Sequence, residues 1–502
     1  MNTRKNTKIL IVGGGTAGWM AANLMASCWK PLGFDIGLLE SPDIGIIGVG
    51  EGSTPQLKSF FDFLQIPETE WMPACNATYK TGIRFNGWST KPGYTSYFHP
   101  FNSELDLHTQ PAFFYNCDVR RKAVNIYAHP DRFYVNAALA AQKLGPHPHE
   151  NFPFKIGYGY HFDSGLLGQF LRDKAKALGV NHFQAKVAAV NHHLNGDIAS
   201  VTSDDGQVFA ADFFVDCSGF VSLLLQKALK VPFKKFADDL FNDSAVAMPS
   251  AHTDELDSQT ISTAMKYGWA WEIPLTTRKG NGYVYSSAFC SADQAETELR
   301  AKLGLLDSDV QARHLTMNVG RVEKHWEKNC LAVGLSQGFI EPLEATALHI
   351  VQETLQGFID AWEVGEFTSV NQDRFNDRIN SRFEGVRDYI VAHYICNSRT
   401  DTEYWRANRQ HQHLSDNLRM IMHTWVSGGN LPELILKLDI DRYYQAMSWY
   451  ALLSGYGIFP DQSQLVEGSA KAHKYDLKDL DKFIAACSRN FPRHSLLLSH
   501  TS

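Results

Sequence analysis

Several features that would take this chain out of the ordinary globular class are missing. Its eight cysteines (Cys28, Cys75, Cys117, Cys217, Cys290, Cys330, Cys396 and Cys487) form no Cys-x-x-Cys pair. That argues against a disulfide framework and for thiols kept reduced in a cytoplasm. No apolar run approaches the ~20 residues a membrane helix needs. The apolar stretch Ile9 to Val12 after the basic start stops at three glycines, too short for a signal peptide. Positive charge is not in excess: the formal net charge is -7, which leaves no basic footprint for nucleic acid or an anionic membrane. The 20 histidines contain neither His-Glu-x-x-His nor a facial-triad spacing. His147-Pro148-His149, His192-His193 and His411-Gln412-His413 read as loop histidines, and no metal site is expected. A Gly-x-Ser-x-Gly elbow is also missing, as are internal repeats and low-complexity linkers. A cytoplasmic protein without nucleic-acid, membrane or metal partners is the expectation.

What is present is a chain of 502 residues, 44% hydrophobic and 20% charged, enough for two or three domains with their own cores. Aromatics make up 12%, which suits a flat aromatic ligand as well as large cores. Lys8 to Val12 is a continuous apolar run, as in a strand buried on both faces. Gly13, Gly15 and Gly18 follow in a G-x-G-x-x-G turn that includes Thr16 and Ala17. A helical stretch from Trp19 to Cys28 and a second strand, Asp35 to Leu39, ending at Glu40, complete the pattern. This order opens a Rossmann unit: the glycines let the backbone approach a pyrophosphate, and Glu40 would accept from ribose hydroxyls. Phe213-Phe214-Val215-Asp216 before Cys217-Ser218-Gly219, and Cys330 to Gly334, look like further cofactor strands of an FAD enzyme rather than an NAD enzyme. From Ala345 onward, apolar residues recur every three or four positions, as in helices.

Trp269-Ala270-Trp271-Glu272-Ile273-Pro274 is the most informative segment. Alternation puts Trp269, Trp271 and Ile273 on one face of a strand, and Pro274 ends it. By itself such a wall is most often core. It stands, however, with Gly48-Val49-Gly50-Glu51-Gly52-Ser53-Thr54-Pro55, a glycine-rich loop by composition. It also stands with Lys80 in the strand-like segment Thr78 to Arg84, with Tyr97-Phe98-His99-Pro100-Phe101, and with Gly338-Phe339-Ile340-Glu341-Pro342-Leu343-Glu344-Ala345-Thr346. With these motifs the chain resembles the flavin-dependent tryptophan halogenases, from the N-terminal glycines to about residue 460.

The resemblance implies an α/β fold: a Rossmann-type FAD-binding domain of the flavin monooxygenase type, an inserted substrate sheet and a mostly helical C-terminal region. It implies a discontinuous FAD and halogenation module over residues 1–345 and a substrate-covering region over 346–502. FAD, used as FADH2, would be held by Gly13, Gly15, Thr16, Ala17, Gly18, Glu40, the strap residues Gly50, Glu51, Gly52 and Ser53, and Gly334. Chloride or bromide would be oxidised to hypohalous acid at the flavin and captured by Lys80. Glu344 would orient the halogenating species and take the proton lost on rearomatisation. Thr346 and Ala347 would offer backbone N–H groups to the halide, and His99 and Phe101 would flank an indole. Trp269 and Trp271 would keep that substrate from the flavin. A separate flavin reductase is implied because no second nicotinamide fingerprint is present, and a homodimer is left open. Two departures stand out: Gly334 is followed by Leu335-Ser336 rather than an acid, and the family's Glu-Ser-Thr-Gly reads Glu344-Ala345-Thr346-Ala347. An aromatic hydroxylase and a non-catalytic FAD-binding redox protein are the alternative readings.

Overall fold

The computed structural model describes residues 7–43, 45, 50–469 and 471–499. The chain passes back and forth between two compact units. One comprises residues up to Asn76, Phe162–Ala237 and Met317–Glu384; the other comprises Ala77–His161, Asp238–Thr316 and residues from Gly385.

The first unit is built on a six-stranded sheet. Its order is Trp326–Glu327, Cys330–Ala332, Phe213–Asp216, Lys8–Val12, Asp35–Glu40 and Asn181–Gln184. All neighbours are parallel except the hairpin at the Trp326 edge. The glycine-loop strand thus lies centrally, with the strands of Phe213 and Cys330 side by side, as their apolar runs predict. The helix Thr16–Trp29 starts earlier and ends later than the apolar spacing alone suggested. It packs against Ser164–Ala177 and Ala347–Val364. Asp163 caps the former, accepting from Gly165 N at 2.9 Å and Leu166 N at 3.1 Å.

The second unit carries a seven-stranded sheet in the order Arg313–Thr316, Ser244–Ser250, Lys279–Tyr285, Gly268–Pro274, Thr260–Ala264, Gly82–Asn86 and Ser96–Pro100. Helices Asp106–Arg120, Val135–Ala141, Glu403–Arg409, Asp416–Val426, Leu431–Lys437, Ala446–Gly455 and Leu477–Ser488 belong to this unit. The helical character expected after Ala345 is therefore present, divided between the two units. All eight cysteines are free thiols. Among the described residues, no helix is long and apolar enough to cross a membrane.

Two local expectations are corrected. Thr78 to Arg84 is not one strand but two, Thr78–Lys80 and Gly82–Asn86, in different sheets. The chain changes sheet at Thr81, whose N–H donates to Ser258 O at 2.7 Å and whose carbonyl accepts from Phe101 N at 3.0 Å. Gly82 permits the change, because a Cβ there would sit 2.3 Å from His99 O. The glycine-rich segment is not all loop either: Gly50–Gly52 is a short strand leading through Pro55 into the helix Gln56–Phe63. Gly48 and Val49 lie outside the described residues.

Candidate active site

Of the residues expected from sequence to hold the cofactor, Gly13, Ala17, Gly18, Glu40 and Gly334 come together at the end of the parallel sheet. Gly13 has φ +120°, and a Cβ on it would meet Cys217 O at 2.1 Å; a Cβ on Gly18 would meet Gly13 O at 1.9 Å. Both glycines are there because backbone passes against backbone. Gly15 differs. It is the N-cap of the helix that opens with Thr16 and Ala17, it has no side-chain cap, and an added Cβ would find nothing within 4 Å. That leaves space in front of an uncapped helix start, which fits a pyrophosphate. Gly334 has φ +70°, and its Cβ would lie 2.7 Å from Ala17 Cβ, so the third cofactor strand turns against the same helix start. Together these positions fit FAD.

Sequence reasoning passed over Gly14, where a Cβ would come within 1.5 Å of Glu40 Oε2. The glutamate therefore lies across the glycine turn, with its Oε1 held at 2.7 Å by His182 Nε2. Asp216 is consumed locally: it accepts from Ser218 Oγ at 2.6 Å and from Leu224 N and Leu225 N at 2.8 Å, capping the turn that follows. Glu51 faces Ser164 and Asp163, and burial raises its carboxyl to about 7 against a hydrogen bond from Ser164 that lowers it. Ser53 is buried beside it in sequence.

In the same unit, Glu344 ends the short turn Pro342–Glu344 and is nearly enclosed, at 5% exposure. Ala345 then takes φ +56° before Thr346 caps the 18-residue helix Ala347–Val364 without a side-chain hydrogen bond. The left-handed strain thus falls on Ala345, whereas Ala347 is ordinary first-turn helix, so its replacement of glycine costs no backbone energy.

The second unit holds Lys80, His99, Phe101, Trp269 and Trp271. Lys80 is the last residue of its strand and is wholly buried, at 0% exposure. Its Nζ lies 5.4 Å from the centroid of Phe101, within cation–π range. Asn136, on Val135–Ala141, ties this corner together: its Nδ2 donates to Phe101 O at 2.8 Å, Gly157 O at 2.9 Å and Thr81 O at 3.2 Å. No motif marks Asn136 in the sequence.

Trp269 and Trp271 are buried on one face, with ring centroids 6.1 Å apart, as their alternation predicts. Strand register gives a row across five strands: Tyr97, Phe85, Ser262, Trp271 and Gly282. Residues paired across strands share a face, and so do residues two apart, so His99 stands on the same face as the Trp pair. His99 lies 6.0 Å from Tyr389, which is stacked on Tyr444 at 3.6 Å and meets Trp449 edge-on at 4.8 Å. Gly282 makes room for the wall, since a Cβ there would stand 2.1 Å from the Trp271 indole. Gly282→Ala is expected to cost about 1–3 kcal/mol through overpacking and to displace Trp271. An unchanged unfolding midpoint and unchanged tryptophan fluorescence would show that the wall has slack.

The strand Thr78–Lys80 is braced by two buried histidines that sequence reasoning did not single out. Tyr79 N donates to His494 Nε2 at 3.1 Å, and burial lowers His494 to about 4, so this acceptor nitrogen stays unprotonated at neutral pH. His161 lies opposite Thr78 on Gly159–Asp163. Its signal was the aromatic alternation Tyr158, Tyr160, Phe162 ending at the capping Asp163. Among the described residues, no group of three or more His, Cys, Asp or Glu is placed to hold a metal ion.

Known proteins match this chain over most of its length. The family model described as tryptophan halogenase matches residues 8–471. The tryptophan 7-halogenase RebH of Lentzea aerocolonigenes is 37% identical over 495 residues, covering 91% of each chain. Among solved structures, the tryptophan 6-halogenase SttH of Streptomyces toxytricini superposes with a TM-score of 0.84 at 31% identity, covering 98% of this chain and 100% of that one. The flavin-dependent halogenase BrvH of Brevundimonas sp. BAL3 superposes with a TM-score of 0.85 at 31% identity, over 100% of both chains.

Proposed function

We propose the chemistry of this chain from one premise: it belongs to the tryptophan halogenase family. It is an enzyme, a flavin-dependent halogenase, and its cofactor is FAD. The reaction we assign is FADH2- and O2-dependent chlorination or bromination of an electron-rich aromatic, an indole or tryptophan derivative. Bound FADH2 would donate two electrons to O2, and O2 would take the other two from halide, giving hypohalous acid, oxidised flavin and water. The rest falls to side chains. Gly13, Gly15, Thr16, Ala17, Gly18, Glu40, Gly50, Glu51, Gly52, Ser53 and Gly334 hold the cofactor, and Thr346 and Ala347 present N–H groups to the halide. Trp269 and Trp271 wall the aromatic substrate off, so that only a small oxidant passes. Lys80 captures that oxidant, and His99 and Phe101 flank the substrate ring. The halogen transfers to a ring carbon, Glu344 accepts the proton that carbon loses, and the hypohalous oxygen leaves as water. In this reading residues 1–345 carry flavin and halogen chemistry and 346–502 cover the substrate. A separate reductase supplies FADH2, in the cytoplasm.

One observation carries the assignment. Lys80, a residue ordinarily solvated, is wholly buried under the ring of Phe101. Burying an ammonium costs free energy that a structural position would avoid by using an apolar residue. Purified enzyme supplied with a flavin reductase, bromide or chloride and an indole panel should yield products carrying the halogen isotope pattern. A product heavier by one oxygen, independent of halide, would establish the hydroxylase instead.

Within the substrate class we propose that small indoles are preferred to free tryptophan. Residues 443–455, beside the aromatic group at His99, contain no Asp, Glu, Lys or Arg. Asn102 Nδ2 donates to Gln445 Oε1 at 2.7 Å, a neutral pair, and the acid that Tyr450 meets, Asp118 at 2.8 Å, is already engaged by Arg121. Zwitterionic tryptophan would lose hydration at such a site without charge-assisted hydrogen bonds in return. Bare indole avoids that loss and still stacks. Comparing kcat/KM for the two under equal FADH2 supply tests this, and a tenfold preference for tryptophan would reveal a charged clamp elsewhere.

A further inference from the structure

His161 sits where the lysine strand and the Trp strand are joined. Its Nδ1 is 3.1 Å from Thr78 Oγ1 and its Nε2 is 2.9 Å from Thr260 Oγ1. The Thr78 hydroxyl donates its single proton to the carbonyl of Pro274 at 2.7 Å. Its oxygen can therefore only accept from the ring, which places the imidazole proton on Nδ1 and leaves Nε2 to accept from the Thr260 hydroxyl. Thr78, His161 and Thr260 are all buried, so each of these bonds is made away from water, where an unmade one is costly.

The connections are specific. Pro274 closes the strand that carries Trp269 and Trp271. Thr260 is on the next strand, two residues before Ser262, which lies opposite Trp271. Thr78 is two residues before Lys80 and so shares its strand face, and His161 is the register partner of Thr78. Burial, followed by the nearby charges of Lys80 and His494, holds the His161 imidazole well below its ordinary pKa. It therefore stays neutral at working pH and adds no second cation beside the lysine.

We propose that His161 is a positioning residue for halogenation: an Nδ1-protonated imidazole that, through Thr78, pins the strand of Lys80 to the end of the strand that carries Trp269 and Trp271. The proposal rests on the reading of Lys80 as the group that captures the oxidant. It gives His161 no contact with substrate or flavin. Its effect is on where the lysine ammonium stands relative to the end of the Trp wall, a placement to which the yield of captured oxidant is sensitive.

The experiment measures halogenated product formed per FADH2 oxidised, with a soluble halogen acceptor in solution to collect escaped oxidant. His161→Phe keeps ring volume but removes both hydrogen bonds. His161→Asn keeps a donor toward Thr78. Thr78→Val removes the link to Pro274 while leaving the histidine in place, and so covers a His161→Phe protein that fails to fold. His161→Phe and Thr78→Val are expected to lower product per FADH2 by about tenfold or more, as misplacing a reacting group does. FADH2 oxidation and substrate KM should stay unchanged, with the missing halogen recovered in the acceptor. His161→Asn should keep coupling near that of the parent. Full coupling in both Thr78→Val and His161→Phe overturns the proposal, and so does a loss that tracks FAD binding or that His161→Asn fails to rescue. Lys80→Ala is run in parallel. If it still halogenates, the lysine reading fails and this proposal falls with it; if it is silent while His161→Phe couples fully, only the role of His161 is lost.

Discussion

Lys80→Ala is expected to oxidise FADH2 and consume O2 at the parental rate while making no halogenated product, the uncaptured hypohalous acid appearing in a soluble halogen acceptor. The separation follows from where the residues proposed for the two halves of the reaction lie. The glycine turn at Gly13 to Gly18, Glu40 and Gly334 belong to one compact unit, whereas Lys80 belongs to the other, at the end of a three-residue strand. Removing an ammonium and its stem from beneath Phe101 leaves the cofactor cradle intact. It removes the group proposed to receive the oxidant, so product formation should fall to background. Oxygen uptake, halogen trapped by the acceptor and product mass measured on one sample decide the matter. Product above about a tenth of the parental rate would remove Lys80 from the mechanism.

Glu344→Gln is the second large effect, expected at about 10²-fold in kcat, the scale of lost acid–base assistance. The substitution keeps shape and burial but cannot accept the ring proton. A glutamate near a helix start is often only a favourable charge for the helix dipole. Here that explanation is weakened by geometry, because the long helix begins at Ala347 and its first turn holds no acid. Glu344 lies before it, across the left-handed Ala345. Near-normal turnover in Glu344→Gln, with FAD still bound, would return Glu344 to a structural role. A primary isotope effect from ring-deuterated substrate that appears or grows in the variant would tie the lost rate to proton removal.

Sequence-local rules made a good part of this protein legible. The run Lys8 to Val12, the glycine turn and Asp35 to Glu40 form the parallel pair they predict, and Phe213 and Cys330 begin the strands laid beside it. These elements were readable because a strand buried on both faces is continuously apolar and a turn against a helix start needs glycine, both properties of a few adjacent residues. The Trp269, Trp271 and Ile273 face was readable for the same reason, since the period of two is local.

The surroundings of the lysine were not readable. Thr78 to Arg84 has the alternation of one strand, and only Gly82 within it allows for the change of sheet at Thr81. What fixes it is a set of partners far along the chain: Ser258, Phe101 and Asn136 at Thr81, and the close approach of His99 to Gly82. His161 and Pro274 reach Thr78 from 83 and 196 residues away, His494 reaches Tyr79 from 415, and Thr260 reaches His161 from 99. The sequence by itself determined the cofactor fold, the Trp wall and which residue types were available for halogen chemistry, because spacing along a strand or turn specifies each. The tertiary structure alone decided how Lys80 is buried and braced, because a buried hydrogen bond between side chains depends on meeting in space and leaves no period in the sequence.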